Sequence, residues 1–170
     1  MRQFKVRKGI IIAVALLALV GIAALLLLRP TPAPQPTVTA LSGQSLPLAS
    51  LKGKVVLINF WATSCPGCVK EMPDLAALYQ NNRAAGFEVV AVAMQYDPPE
   101  YVRNFTREKA LPFTVALDAD GSASQAFGGV KLTPTSFLID RRGNLVQQFI
   151  GEPDFAALDA VIKQKLKETT

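Results

Sequence analysis

The sequence predicts an α/β fold with a central mixed β-sheet flanked by helices, and three observations carry that expectation. Short β-rich apolar runs alternate with longer stretches of helical period between Val55 and Phe127. Two further β-rich runs, Thr135 to Asp140 and Leu145 to Ile150, flank the turn sequence Arg141-Arg142-Gly143-Asn144 and precede an amphipathic terminal segment. A proline-rich stretch separates all of this from an apolar N-terminal run, which leaves residues 37–170 as one domain of ordinary size.

In chain order, residues 1–8 form a basic stub carrying Arg2, Lys5, Arg7 and Lys8. Residues 9–28 are almost uninterruptedly apolar. At about 1.5 Å per residue, a helix of that length spans a hydrocarbon core of about 30 Å. The expectation is one N-terminal transmembrane helix, with the stub in the cytoplasm and everything after Arg29 outside. The rival is a cleaved signal peptide, whose apolar region is usually about 7–15 residues, and no small-x-small cleavage pattern follows Leu28. Residues 29–36 include Pro30-Thr31-Pro32-Ala33-Pro34-Gln35-Pro36, expected as an extended spacer that lifts the domain off the bilayer.

Thr37 to Ala40 and Ser45 to Leu48, joined through Ser42-Gly43, read as an N-terminal hairpin. Val55 to Phe60 is a buried strand. Pro66 to about Ala85 is a helix with proline in its first turn, Gly86 at its end, and a kink expected at Pro73. Glu88 to Met94 is the next strand, and Pro98 to Lys109 a helix introduced by Asp97-Pro98-Pro99. Phe113 to Leu117 follows as a short strand and Gly121 to Phe127 as a short helix. In the terminal helix, Pro153 to Lys167, the residues Phe155, Leu158, Val161, Ile162 and Leu166 share the inward stripe.

The formal net charge of +5 suggests a nucleic-acid partner only until it is located. Arg2, Lys5, Arg7, Lys8 and Arg29 account for all of it, the other basic side chains being matched in number by the 13 acidic ones. The basicity is a topology signal, and no nucleic-acid partner is expected.

The only cysteines form Cys65-Pro66-Gly67-Cys68, placed where a buried strand gives way to a helix. The two sulfurs can close a small ring, and Cys65 lies where free backbone N–H groups and the helix dipole favour a thiolate. In this strand–turn–helix context the pair reads as a redox dithiol. A zinc site needs about four N or S ligands, and this chain has two cysteines and no histidine, so no metal is expected. A purely structural disulfide of this spacing constrains the unfolded chain little.

With these residues on the page, the chain resembles the thioredoxin superfamily, and within it the membrane-anchored TlpA/ResA/CcmG (DsbE) group of thiol–disulfide oxidoreductases. The matching residues are Val56-Leu57-Ile58-Asn59-Phe60-Trp61-Ala62-Thr63, Cys65-Pro66-Gly67-Cys68, Lys70-Glu71-Met72-Pro73 and Thr133-Pro134-Thr135-Ser136-Phe137-Leu138-Ile139-Asp140. The similarity covers roughly Thr37 to Leu166. The segment from about Tyr96 to Leu117 resembles the group's central strand–helix insertion.

The resemblance implies roles. Cys65 is the expected attacking thiolate, and Cys68, one turn on and facing inward, the resolving thiol. Glu71 shares a helix face with Cys68 and matches an acid that moves that thiol's proton, the alternative being a solvated glutamate paired with Lys70. Pro134 matches the group's cis-proline, with the Thr133 backbone presented to a substrate chain. Trp61, Pro66 and Gly67 join Thr133 and Pro134 as the expected substrate-binding residues, Pro66 and Gly67 also tuning the helix start and Trp61 packing under the site. There is no cofactor beyond the Cys65–Cys68 disulfide. The expected partners are disulfide-bearing exported proteins, such as apocytochrome c, a membrane thiol transporter as electron donor, and the inner membrane itself.

Two positions depart from the pattern. Asn59 stands where plain thioredoxins carry an aspartate, so any proton relay uses Glu71 or water. Ser64 stands where the group usually has tryptophan. Competing functions are a disulfide-donating oxidase, a thiol peroxidase and a copper chaperone. The peroxidase needs a threonine where Ala62 stands, and the chaperone lacks its usual histidine ligand.

Overall fold

The computed structural model describes residues 30–168, together with Leu17, Leu19 and Gly21, which are helical. Among the described residues no helix is long and apolar enough to cross a membrane. The expected anchor over residues 9–28 otherwise lies outside the described residues.

The element order follows the alternation of the sequence: β1 Thr37–Ala40, β2 Ser45–Pro47, β3 Val55–Trp61, α1 Pro66–Asn82, β4 Phe87–Ala93, α2 Pro99–Glu108, β5 Thr114–Leu117, α3 Ser122–Ala126, β6 Thr135–Ile139, β7 Leu145–Ile150 and α4 Phe155–Lys167. One seven-stranded sheet holds the strands in the order β2-β1-β5-β4-β3-β6-β7. β3, β4 and β5 run parallel, as strands joined by helical crossovers do. The two hairpins add antiparallel strands at either edge, β1 against β5 and β6 against β3. The mixed sheet is as expected.

β3 is buried along its whole length, and its alternation decides what each face receives. Val55, Leu57 and Trp61 face a layer made by Met72, Leu75 and Leu78 of α1, Val102 of α2, and Leu158 and Ile162 of α4. Val56, Ile58 and Phe60 face a second layer with Ala123, Phe127, Phe137 and Leu48. Phe127 packs at centroid distances of 5.5 Å from Phe60 and 4.7 Å from Phe137. Such aromatic pairs add about 0.5–1.5 kcal/mol each beyond area burial. In α4 the expected stripe is realised, with Leu158 and Ile162 fully buried and Phe155, Val161 and Leu166 half-buried against them.

Several boundaries differ from expectation for local reasons. β2 stops at Pro47, which has no N–H for a ladder, and Leu48–Leu51 turn as a 3-10 helix with the Leu48 side chain buried. α1 runs through Pro73 to Asn82, and the last expected turn tightens to a 3-10 segment, Arg83–Ala85, ended by Gly86 at φ +98°. The compact unit begins at Pro32 rather than residue 37. Ala33 is buried, its N–H donates to Gly143 O at 2.9 Å, and the Leu48 N–H donates to Pro36 O at 3.0 Å. The second half of the proline-rich stretch is therefore a strap on the domain and not a free spacer.

Arg141, in the turn between β6 and β7, joins three separate segments. Its guanidinium donates to Gly53 O at 3.0 Å, Ala85 O at 2.9 Å and Leu166 O at 3.1 Å, the last near the C-terminus of α4. Arg141→Met is expected to lower the free energy of unfolding by about 1–3 kcal/mol, through loss of charge-assisted hydrogen bonds. The reading is a lower denaturant midpoint at unchanged slope. A midpoint equal to that of the parent would mean that water satisfies those carbonyls equally well.

Candidate active site

β3 delivers the chain to the dithiol. After Trp61, the Cys65 N–H donates to Ala62 O at 3.1 Å, and Cys65 becomes the N-cap of α1 with extended backbone angles. Its sulfur accepts the Cys68 N–H at 3.2 Å, one of the donors that a helix start leaves without an intrahelical partner. Cys65 and Cys68 are joined as a disulfide with Cα atoms 5.3 Å apart. Cys65 is half-buried, whereas Cys68 is fully buried. Only one sulfur is therefore open to an approaching chain.

The later proline motif arrives opposite this pair. The Thr133–Pro134 peptide is cis, and Cys65 Sγ lies 3.4 Å from the Thr133 carbonyl oxygen. Thr135 Oγ1 donates to Leu132 O at 2.7 Å, and the Gly151 N–H donates to Pro134 O at 2.8 Å, fixing the loop from both sides. Gly67 faces Pro134, and a Cβ there would stand in ordinary van der Waals contact with Pro134 Cδ, at 3.7 Å. Pro66 is exposed beside it. Trp61 is 0 % exposed and packs 5.3 Å from the Phe105 ring, so it lies beneath the site and offers no surface to a substrate. As a substrate contact it is corrected to a supporting side chain, because β3 is covered on both faces at that point. Ser64 is exposed at the rim.

Behind Cys68, Glu71 is 1 % exposed. Asn59 points to the same side of the sheet as Leu57 and Trp61, toward α1, and its Nδ2 donates to Glu71 Oε1 at 2.8 Å. The second Nδ2 hydrogen goes to Ser136 Oγ at 2.9 Å, on the β6 residue directly paired with Asn59. Glu71 Oε2 is buried without a hydrogen-bond partner among the described residues. Burial pushes the Glu71 carboxyl up to about 7; the Asn59 hydrogen bond opposes that shift and the Glu152 charge adds to it. The solvated pairing with Lys70 does not occur, since Lys70 Nζ sits 2.8 Å from Glu152 Oε2.

Two groups at the site carry no functional signal in the sequence. Ser136 is found only through the β3–β6 register. Asp97 is 4 % exposed, and its two carboxylate oxygens accept the Thr63 N–H at 2.6 Å and the Thr63 hydroxyl at 2.5 Å. In the sequence Asp97 is visible only as part of the helix-starting run Asp97-Pro98-Pro99. Among the described residues, no group of three or more histidine, cysteine, aspartate or glutamate side chains is placed to hold a metal. The arrangement suits exchange at sulfur: an accessible sulfur at a helix start, a buried partner, and a carboxyl titrating near neutrality.

Comparison with known proteins agrees with this geometry. The Redoxin family model matches residues 30–162. The thiol–disulfide oxidoreductase ResA of Bacillus thuringiensis subsp. konkukian is 38 % identical over 132 residues, covering 78 % of this chain and 75 % of that protein. ResA of Bacillus subtilis is 37 % identical over 110 residues, 65 % of this chain and 60 % of that protein. Among solved structures, a Chlorobium tepidum thiol:disulfide interchange protein of the thioredoxin family superposes with a TM-score of 0.74 at 33 % identity, over 81 % of this chain and 97 % of that one. A Neisseria meningitidis protein assigned as a thioredoxin gives 0.75 at 41 % identity, over 83 % and 93 %. The disulfide at a helix start, the proline loop against it and these likenesses agree: the chain belongs to the Redoxin family, as one of its thioredoxin-like thiol–disulfide oxidoreductases.

Proposed function

We propose that the protein is an extracytoplasmic reductase of disulfides in exported proteins, held at the inner membrane by residues 9–28. The observation that carries the reading is the pairing of a half-buried Cys65 with a fully buried Cys68 backed by the buried Glu71 carboxyl. Cys65 is the attacking thiolate. The Thr133 backbone and Pro134 receive the client chain beside it, and Pro66 and Gly67 shape the start of α1. Glu71, on the helix face of Cys68, takes the proton of that thiol when it resolves the mixed disulfide. The dipeptide Pro66-Gly67 brings no histidine between the cysteines to stabilise the thiolate, which favours a reductant. The clients are proteins with exported dithiols, apocytochrome c among them, and a membrane thiol transporter returns the electrons. The redox-active disulfide is the only cofactor.

The test is the reduction potential of the full chain in detergent, equilibrated with glutathione or dithiothreitol buffers. A value well below about −180 mV is expected. A value near about −120 mV would make it an oxidase. In intact cells, a membrane-impermeant thiol reagent is expected to label Cys65 after reduction, and labelling only after lysis would place the domain in the cytoplasm.

A further inference from the structure

The start of the central insertion reaches back into the site. The Met94 N–H donates to Trp61 O at 3.0 Å, and the Asp97 N–H donates to Met94 O at 2.9 Å, so the chain turns tightly just beyond β4. That turn aims the buried Asp97 carboxylate at Thr63, whose N–H and hydroxyl it holds on separate oxygens. The adjacent Tyr96 Oη stands 3.5 Å from Thr133 Oγ1. One short segment thus touches both halves of the site, the loop before Cys65 and the loop before Pro134.

We propose that Asp97 is a positioning residue that fixes the loop from which Cys65 emerges and, through its charge, holds the Cys65–Cys68 couple toward the reducing side. Thr63 is two residues from Cys65, so chain geometry keeps the carboxylate within about 14 Å of Cys65 Sγ. A buried negative charge at that range is weakly screened and opposes a thiolate on Cys65. Reduction by glutathione breaks the Cys65–Cys68 bond: two glutathione thiols supply two electrons and two protons and leave as glutathione disulfide. Whatever disfavours the resulting thiolate disfavours the dithiol and lowers the potential. The inference rests on exchange at this dithiol and not on the direction of electron flow, since it concerns a difference between variants and not the absolute potential.

The experiment compares full-chain protein, Asp97→Asn, Asp97→Glu and Thr63→Val in glutathione buffers above the Cys65 pKa. Asp97→Asn is expected to shift the equilibrium about tenfold toward the dithiol, about 30 mV for a two-electron couple, with a lower Cys65 pKa. Asp97→Glu, which keeps the charge, should stay near the parent. Thr63→Val, which keeps the charge but loses one tie, should slow exchange while moving the equilibrium less than about twofold. The proposal is overturned if Asp97→Asn alters only thermal stability, leaving potential and thiol pKa at parent values. It is equally overturned if Thr63→Val shifts the potential as far as Asp97→Asn, or leaves the exchange rate untouched.

Discussion

Cys65→Ser is expected to abolish disulfide exchange, while Cys68→Ser stalls it at a covalent complex with the client. The asymmetry follows from exposure. Cys65 is half-buried at the start of α1, whereas Cys68 is 0 % exposed behind it and meets no client directly. In the proposed reductive direction the Cys65 thiolate attacks a client disulfide. A Cys65–client bond forms, the client bond breaks, and one client sulfur leaves as thiolate. The Cys68 thiolate then attacks Cys65 Sγ, closing the Cys65–Cys68 bond of this structure and releasing the second client thiolate, so two electrons have moved to the client. Serine at 68 has no thiolate for that second attack. Non-reducing gels and intact mass of the Cys68→Ser reaction should show the adduct, and turnover by Cys65→Ser should fall to the uncatalysed rate. Normal turnover by Cys65→Ser, or free product from Cys68→Ser without an adduct, would remove this mechanism.

Glu71→Gln is expected to change how the oxidised protein depends on pH. The Glu71 carboxyl is pushed from its ordinary 4.5 up to about 7, chiefly by burial. Between those values the folded protein holds a proton that the unfolded chain has released, so stability falls as pH rises through that window. A shift of that size corresponds to about 3 kcal/mol, all of it present below about pH 4.5 and lost by about pH 7. The substituted amide is neutral throughout and keeps a carbonyl acceptor for Asn59 Nδ2, so that fall should vanish and the variant should be the more stable protein at pH 8. Denaturant unfolding of the oxidised forms at pH 5 and pH 8 measures it. The cost in function should appear in the resolving step, for which Glu71 is the proposed proton acceptor: the pH–rate profile is expected to lose its limb near neutrality. Superimposable stability and rate profiles for parent and variant would reduce Glu71 to a packed side chain.

What is legible in the sequence is local or repeated. The run Val55 to Phe60 names its own burial, Gly86 marks a helix end by backbone freedom, and Cys65 and Cys68 declare themselves as the only thiols at a strand–helix junction. Helix spacing from Cys68 singles out Glu71, yet it does not reveal the burial of that carboxyl, which depends on α1 packing against the sheet face that carries Asn59. The Asn59–Ser136 bond joins residues 77 apart in sequence, and Thr63 meets Asp97 across 34. Both depend on strand register and on where a loop returns, which no local pattern encodes. The strap of residues 32–36 reads as spacer because proline composition looks the same whether the segment is solvated or docked.

That strap gives the molecule a handle with a direction. Its first residues contact Gly143 and Asn144, in the turn that follows β6, while Pro134 and the disulfide stand before the first residue of the same strand. A strand of this length measures about 17 Å from end to end. The start of the strap therefore docks a full strand length from the reactive sulfur. A client chain that reaches Cys65 meets the loop before Pro134 without crossing the strap.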